Sequence, residues 1–377
     1  MASPLSSTSR LTRGWLGITT TPKLINRNLE TMIPQTFKAG IVATSTVLAA
    51  VLAVPSQAET VNIYSTRQAD LIEPVLAAFT AETGIDTQVL FVKKGLVDRI
   101  VAEGAGSPAD VLLTTDIGGL LDFVNEGVTQ SVSSATIEAN VPATLRDEDS
   151  HWFALTKRGR VVYASVDRVE QDSITYEELA DPKWKGRICT RSGQHGYNLA
   201  LFASMIDELG EAAAETWLAG LRDNLARKPE GNDRAQAKGI YSGECDLGLG
   251  NTYYVGLMET NEKEPEQKQW RASLKVLFPN NDGRGTHVNV SGMAMAKYSP
   301  NREAALALME FLTTPAAQAI YAEQVFEYPV IEGGQVSDIV ASFGELRSDG
   351  RDLNVVGNLR PAASLMVDRV RYNDGPR

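Results

Sequence analysis

From Val61 the chain alternates apolar and polar positions (Val61-Asn62-Ile63-Tyr64), the period of a strand. Leu71, Ile72, Val75, Leu76 and Phe79 then recur at helical spacing and stop at Gly84, which predicts an amphipathic helix. Val89-Leu90-Phe91-Val92 reads as a short buried strand, and Leu96, Val97, Ile100 and Val101 form the next helix face. Val111-Leu112-Leu113 is a further strand, followed by Gly118-Gly119 and a helix through Leu121 and Phe123. Strand and helix alternating at such short intervals predict an α/β fold with mostly parallel strands.

The second half repeats this pattern. Val161-Val162-Tyr163-Ala164 reads as a strand, and Thr175-x-x-Glu178 as a capping box for a short helix ending before Asp181-Pro182. Ile188-Cys189 and Leu247-Gly248-Leu249 look like strands flanking a helical stretch from Asn198 to about Leu225. Ser299-Pro300 opens a helix through Ala305, Leu308, Met309 and Leu312. No Gly/Ser linker interrupts residues 60–330, so two α/β lobes joined by short crossings are expected. Ligands of open α/β sheets sit at the carboxyl ends of strands. That points to the loops Ser65–Ala69, Thr114–Gly119, Arg191–Asn198 and Asn251–Val255.

Upstream, Lys38 is followed by sixteen apolar or small residues, Ala39 to Val54, and then Pro55-Ser56-Gln57-Ala58. A basic residue, a short apolar run and a small-x-Ala ending are the parts of a secretory signal peptide. The run is too short and too rich in Thr and Ser for a membrane span. Translation from Met32 and cleavage after Ala58 are expected, residues 1–31 being an extension. No Cys near Ala58 offers a lipid anchor, so a soluble protein in the periplasm is expected. Export also changes the charge. The 377 residues carry 36 Lys+Arg and 47 Asp+Glu, net −11; residues 59–377 keep 31 and 46, net −15. That balance disfavours a nucleic-acid partner, because phosphate neutralisation needs clustered bases. Two cysteines are too few for a disulfide scaffold or a thiolate zinc site.

No enzyme motif is complete. The three His (His151, His195, His287) form no helical metal pair. There is no Gly-x-Ser-x-Gly elbow, Walker loop or Gly-x-Gly-x-x-Gly turn. Asp116 reads as a helix cap. Tyrosine is the unusual element: Asn251-Thr252-Tyr253-Tyr254 follows one strand, and Tyr197 lies in the loop after another. A Tyr-Tyr pair is usually packing. A cluster of phenolates has one strong chemical use, which is to bind ferric iron, a hard cation that prefers anionic oxygen. Phenol titrates near 10, so it ionises only as the metal displaces its proton.

The chain resembles the exported ferric-ion-binding proteins of bacterial ABC transporters, the bacterial transferrins. The stretches that carry the resemblance include Tyr64-Ser65-Thr66-Arg67-Gln68, Ser107-Pro108-Ala109-Asp110 and Lys185-Gly186-Arg187-Ile188-Cys189-Thr190-Arg191-Ser192. Gly231-Asn232-Asp233-Arg234, Gly250-Asn251-Thr252-Tyr253-Tyr254, Gly285-Thr286-His287-Val288-Asn289 and Glu327-Tyr328-Pro329-Val330 continue the series. The resemblance implies a two-lobed periplasmic-binding-protein clamshell of type II that closes on Fe(III). Each lobe would be a mostly parallel sheet flanked by helices. It divides the chain into an N-terminal lobe (59–155), a C-terminal lobe (156–283), a return to the first lobe (284–325) and C-terminal helices on the second (326–377).

Tyr197, Tyr253 and Tyr254 match the family's tyrosine ligands. Many relatives add a His and a Tyr after the Tyr-Ser-x-Arg stretch; here Gln68 and Ala69 stand there. The resemblance then implies that a carbonate-like anion completes the iron shell. Arg67, Gln68 and Arg158 are its candidate partners, since guanidinium can hold a planar oxyanion bidentately. The plain alternative for each Arg is a surface ion pair. His195 is expected to orient its loop, and His287 to make a structural hydrogen bond. Cys189 and Cys245 each precede a candidate ligand by eight residues and open elements expected to neighbour in one sheet. In an oxidising compartment they are expected to form a disulfide. The function implied is that of a monomeric, non-enzymatic binding protein delivering ferric iron to a permease and its ATPase. The same clamshell binding an organic anion or polyamine, and an exported hydrolase, are the alternatives.

Overall fold

The computed structural model describes residues 59–377. The expected signal segment and its cleavage point lie outside the described residues. Among the described residues there are ten strands: β1 (Thr60–Ser65), β2 (Asp86–Phe91), β3 (Val111–Thr114), β4 (Thr129–Gln130), β5 (Phe153–Ser165), β6 (Ile188–Cys189), β7 (Leu247–Asn251), β8 (Leu274–Leu277), β9 (Val288–Ala296) and β10 (Tyr328–Pro329). The main path runs β2-β1-β3-β9-β5-β7-β6, with β4 on β9 and with β8 and β10 on β5.

Strand β5 holds the fold together. Its first half, Phe153–Gly159, pairs with β9, and its second half, Arg160–Ser165, pairs with β7 and β8. One strand thus passes from the first lobe into the second at Gly159-Arg160. Its run of apolar residues has a simple cause, burial on both faces. Val162 and Ala164 enter one core with Phe202, Trp217 and Leu247, while Val161 and Tyr163 enter another with Ile240 and Phe278. The first lobe has its own core of Ile63, Val75, Phe79, Val111, Leu120, Trp152, Met293 and Leu308.

The α/β class and two-lobed clamshell stand, but the expectation of mostly parallel strands is corrected. Only β1 with β2 and β3, and β6 with β7, are parallel. Strands β9 and β5 enter antiparallel to their neighbours. Hydrophobic pattern fixes which faces of a strand are buried, not the direction of its partner. The expected helix from Asn198 to Leu225 is two helices, Gly196–Leu209 and Glu211–Asp223. The break is Gly210, whose φ of 78° suits glycine alone. The Thr175 hydroxyl does accept from the Glu178 amide, but the turn it caps is 3₁₀, Glu177–Ala180. The helix expected at Ser299-Pro300 runs from Arg302 to Leu312.

Candidate functional site

Parallel neighbours β6 and β7 (Ile188 opposite Leu247, Cys189 opposite Gly248) deliver two loops side by side at their carboxyl ends. Each loop turns directly into a helix with tyrosine in the first turn: Tyr197 in Gly196–Leu209, Tyr253 and Tyr254 in Thr252–Glu259. A helix N-terminus stabilises negative charge, so the location suits phenolates. A disulfide joins Cys189 to Cys245 beneath both loops, with Cα atoms 5.9 Å apart. Gly250 lets the Tyr163 ring lie against the chain, since a Cβ there would fall 2.1 Å from it. The Tyr163 hydroxyl then donates to the Asn251 carbonyl at 2.5 Å and fixes the entry to the Tyr-Tyr turn.

The tyrosines converge. The Tyr197 and Tyr253 hydroxyls are 3.3 Å apart, and the rings of Tyr253 and Tyr254 lie together with centroids at 4.2 Å. All three line a cleft of about 620 Å³ together with Thr66, Arg67, Gln68, Thr115 and Glu327. All four loops singled out in the sequence therefore reach it. Burial, joined by the neighbouring Tyr197, pushes the Tyr253 phenol well above its usual range; burial and Asp233 push Tyr254 up to about 12. These phenols therefore hold their protons tightly.

Cations surround the phenols. Arg158 and Arg191 approach the Tyr197 ring at 5.8 and 5.3 Å, and Arg234 lies 4.9 Å over Tyr254. Arg160 and Arg191 share one buried carboxylate, Asp233, at 2.8 and 3.0 Å. Asp233 also accepts from the Asn251 amide at 2.9 Å, which ties the charge pair to the Tyr-Tyr turn. Although burial opposes it, the two guanidinium groups hold the Asp233 carboxyl below its usual range.

Arg67 donates to both oxygens of Glu327 at 3.0 and 2.8 Å, and Arg158 stands 3.7 Å from the same carboxylate. Thr156 also donates to Glu327. Two cations on one carboxylate leave an excess positive charge beside the cleft. Both arginines are buried, so the surface ion-pair alternative is corrected: the pairs exist, inside the hinge. Arg158 makes no hydrogen bond through any of its three guanidinium nitrogens. Gln68 lies exposed at the cleft lip. His195 caps the Tyr197 helix, its Nδ1 accepting from the Tyr197 amide at 3.2 Å, and its ring meets the Tyr197 ring edge-on. Burial and Arg191 pull His195 down to about 4, so the ring is a neutral acceptor at ordinary pH. Asp116 caps its helix through the Gly119 amide. His287 is buried away from the cleft, 3.7 Å from Asp349, and its ring makes no hydrogen bond, contrary to expectation.

Sequence reasoning assigned no role to Glu327, Asp233, Arg191 or Arg234. Their signal was present in short stretches, such as an acid among apolar residues at Phe326-Glu327-Tyr328-Pro329-Val330.

Two lobes joined by crossing strands, with a lined cleft between strand ends, define a solute-binding clamshell. Residues 63–319 match the model of the bacterial extracellular solute-binding proteins, and the chain belongs to that family. It is similar to iron uptake protein A1 of Synechocystis, 45% identical over 83% of this chain and 87% of that one. It is also similar to a solved Bordetella ferric binding protein, with 47% identity, a TM-score of 0.78, and coverage of 84% of this chain and 100% of the other. The Trichodesmium protein solved with iron and citrate ligands has 40% identity and a TM-score of 0.79, over 83% of this chain and 99% of that one. Among the described residues no helix is long and apolar enough to cross a membrane.

Proposed function

We propose that the chain captures ferric iron in the periplasm as cargo and hands it to an ABC permease driven by its ATPase, acting as a monomer and not as an enzyme. Tyr197, Tyr253 and Tyr254 are the ligands. The observation that carries this reading is the convergence of three phenols on one cleft, two of them 3.3 Å apart at their oxygens. Three phenolates neutralise the charge of Fe(III), and hard anionic oxygen is the donor it prefers. The relatives whose names speak of iron uptake and ferric binding support the same cargo.

A tightly bound ion fills little of a 620 Å³ cleft. The remaining room and the excess of guanidinium charge favour iron held together with an oxyanion, carbonate-like in the simplest case. Arg158, with unused donors behind Tyr197, and the cleft-lining Arg67 and Gln68 are its candidate partners. The competing reading, an organic anion or polyamine as the whole cargo, leaves the tyrosine triad without a purpose. Competition of the ferric protein against excess citrate tests the assignment. Tyr197→Phe, Tyr253→Phe and Tyr254→Phe should each weaken iron retention more than about a hundredfold, beyond the usual effect of an outer-shell residue. Gln68→Ala should change it by less than about threefold. Unchanged retention in Tyr253→Phe would overturn the proposal.

A further inference from the structure

Strand β5 leaves the first lobe at Gly159, opposite Val288, and enters the second at Arg160, opposite Asn251. The Arg160 backbone is held on both sides. Its amide donates to the His287 carbonyl at 2.9 Å, and its carbonyl accepts from the Tyr176 hydroxyl. Its side chain is buried and reaches both tyrosine loops. Nη2 donates at 2.7 Å to Oδ1 of Asn198, the residue after Tyr197. Nη1 donates at 3.0 Å to Oδ1 of Asn251, which opens the Tyr-Tyr turn, and at 2.8 Å to Asp233.

The ion pair with Asp233 balances charge and would suffice for stability. The two asparagine bonds add nothing to that balance, yet they fall on the residues that carry the tyrosines into the cleft. Asn198 is itself fixed: its amide group donates to the Arg191 and Ser192 carbonyls at 3.0 and 3.2 Å, so its oxygen is the atom turned to Arg160. Asn198 and Asn251 are buried, and neither lines the cleft. A planar guanidinium fork can serve three acceptors on three elements, which a lysine point charge cannot. Phenolates from two loops can share one ion only if the loops keep their separation to within about 0.5 Å.

We propose that Arg160 is a positioning residue for ferric capture, setting the Tyr197 loop against the Tyr253-Tyr254 turn from the lobe crossing; this role rests on the tyrosine assignment above. Arg160→Lys keeps the charge opposite Asp233 and removes the fork. In citrate competition the variant should retain iron about ten- to a hundredfold less tightly, as for other outer-shell partners. The phenolate-to-iron band of the ferric protein should also move in wavelength. Without iron, the amides of Tyr197, Asn198 and Asn251, all hydrogen-bonded in the parent, should exchange with solvent faster. Arg222→Lys is the control: this arginine is also buried, but it bonds to Val370 and Asp223, outside both tyrosine loops. It should lower the melting temperature and leave the band and the three amides unchanged. An unmoved band with unchanged retention in Arg160→Lys, or equal changes in Arg222→Lys, would overturn the role. If Arg160→Lys does not fold, Asn198→Ala replaces it, since the Arg160–Asp233 pair survives there. Retention should then weaken by about three- to tenfold with a shifted band, and no change would overturn the role equally. Without a band in the unaltered protein the tyrosine assignment falls, and this role with it. A parent band that Arg160→Lys leaves intact sinks the positioning role alone.

Discussion

A buried phenol becomes a ligand only when something stabilises its anion, and the guanidinium groups of Arg158, Arg191 and Arg234 are placed for that task. Arg158 acts on Tyr253 in the direction of ionisation, although burial outweighs it. Replacing Arg158 by Met should weaken ferric binding about tenfold while leaving the three tyrosines in place; an unchanged affinity in citrate competition would remove Arg158 from the proposed site. Asp233 has a different role, because it binds two buried cations and the Asn251 amide at once. Asp233→Asn should destabilise the protein by about 3–5 kcal/mol, the usual cost of stranding buried charge. Thermal unfolding of the iron-free variant measures it. The pH sign is fixed by the depressed carboxyl: its contribution is present above about pH 4 and is lost as acid reaches its folded-state value. The tyrosines were legible because two of them are adjacent and each set follows a strand. Glu327 was not, because its partner Arg67 lies 260 residues away and no local pattern joins them.

Among the elements, those with strong periodicity were read correctly from the sequence. The helix Glu73–Thr83 ends at Gly84 in the left-handed conformation, as its apolar spacing required. Strand partners were harder. The apolar run in β5 announced two buried faces, but nothing in it said that one strand serves both lobes. Gly210 inside a periodic stretch was the available sign that the long helix is two. The Cys189–Cys245 disulfide ties β6 to the residue leading into β7, across a sequence separation of 56. Chain-entropy arguments give a loop of that size about 4 kcal/mol of stability. Reduction should therefore lower the unfolding free energy obtained from denaturant titration by a matching amount. A Cys189→Ser/Cys245→Ser variant as stable as the parent would show that packing alone aligns the two strands.

At the scale of the molecule, a chain of net −15 beyond residue 58 contains a cleft with surplus arginine. The acidity is spread over the outside, and the local field at the tyrosines is set by buried guanidinium groups. Lobes joined by crossing strands make hinge closure the expected mode of ligand capture, with binding energy selecting the closed form. Scattering should show a smaller radius of gyration once ferric citrate is added. With these tyrosines as the proposed ligands, iron binding should also release protons, because burial holds the Tyr253 phenol well above its usual range and pushes Tyr254 up to about 12. Affinity should consequently fall with acid, by about two to three decades per pH unit if two or three phenols ionise.

Direct binding of ferric iron by these phenolates can be read from the visible spectrum as the iron-free protein is titrated with ferric citrate. A phenolate-to-iron charge-transfer band that saturates at one iron per chain, and disappears in Tyr253→Phe, is the expected result. A protein that stays colourless, or a band that survives Tyr253→Phe unchanged, would contradict the account.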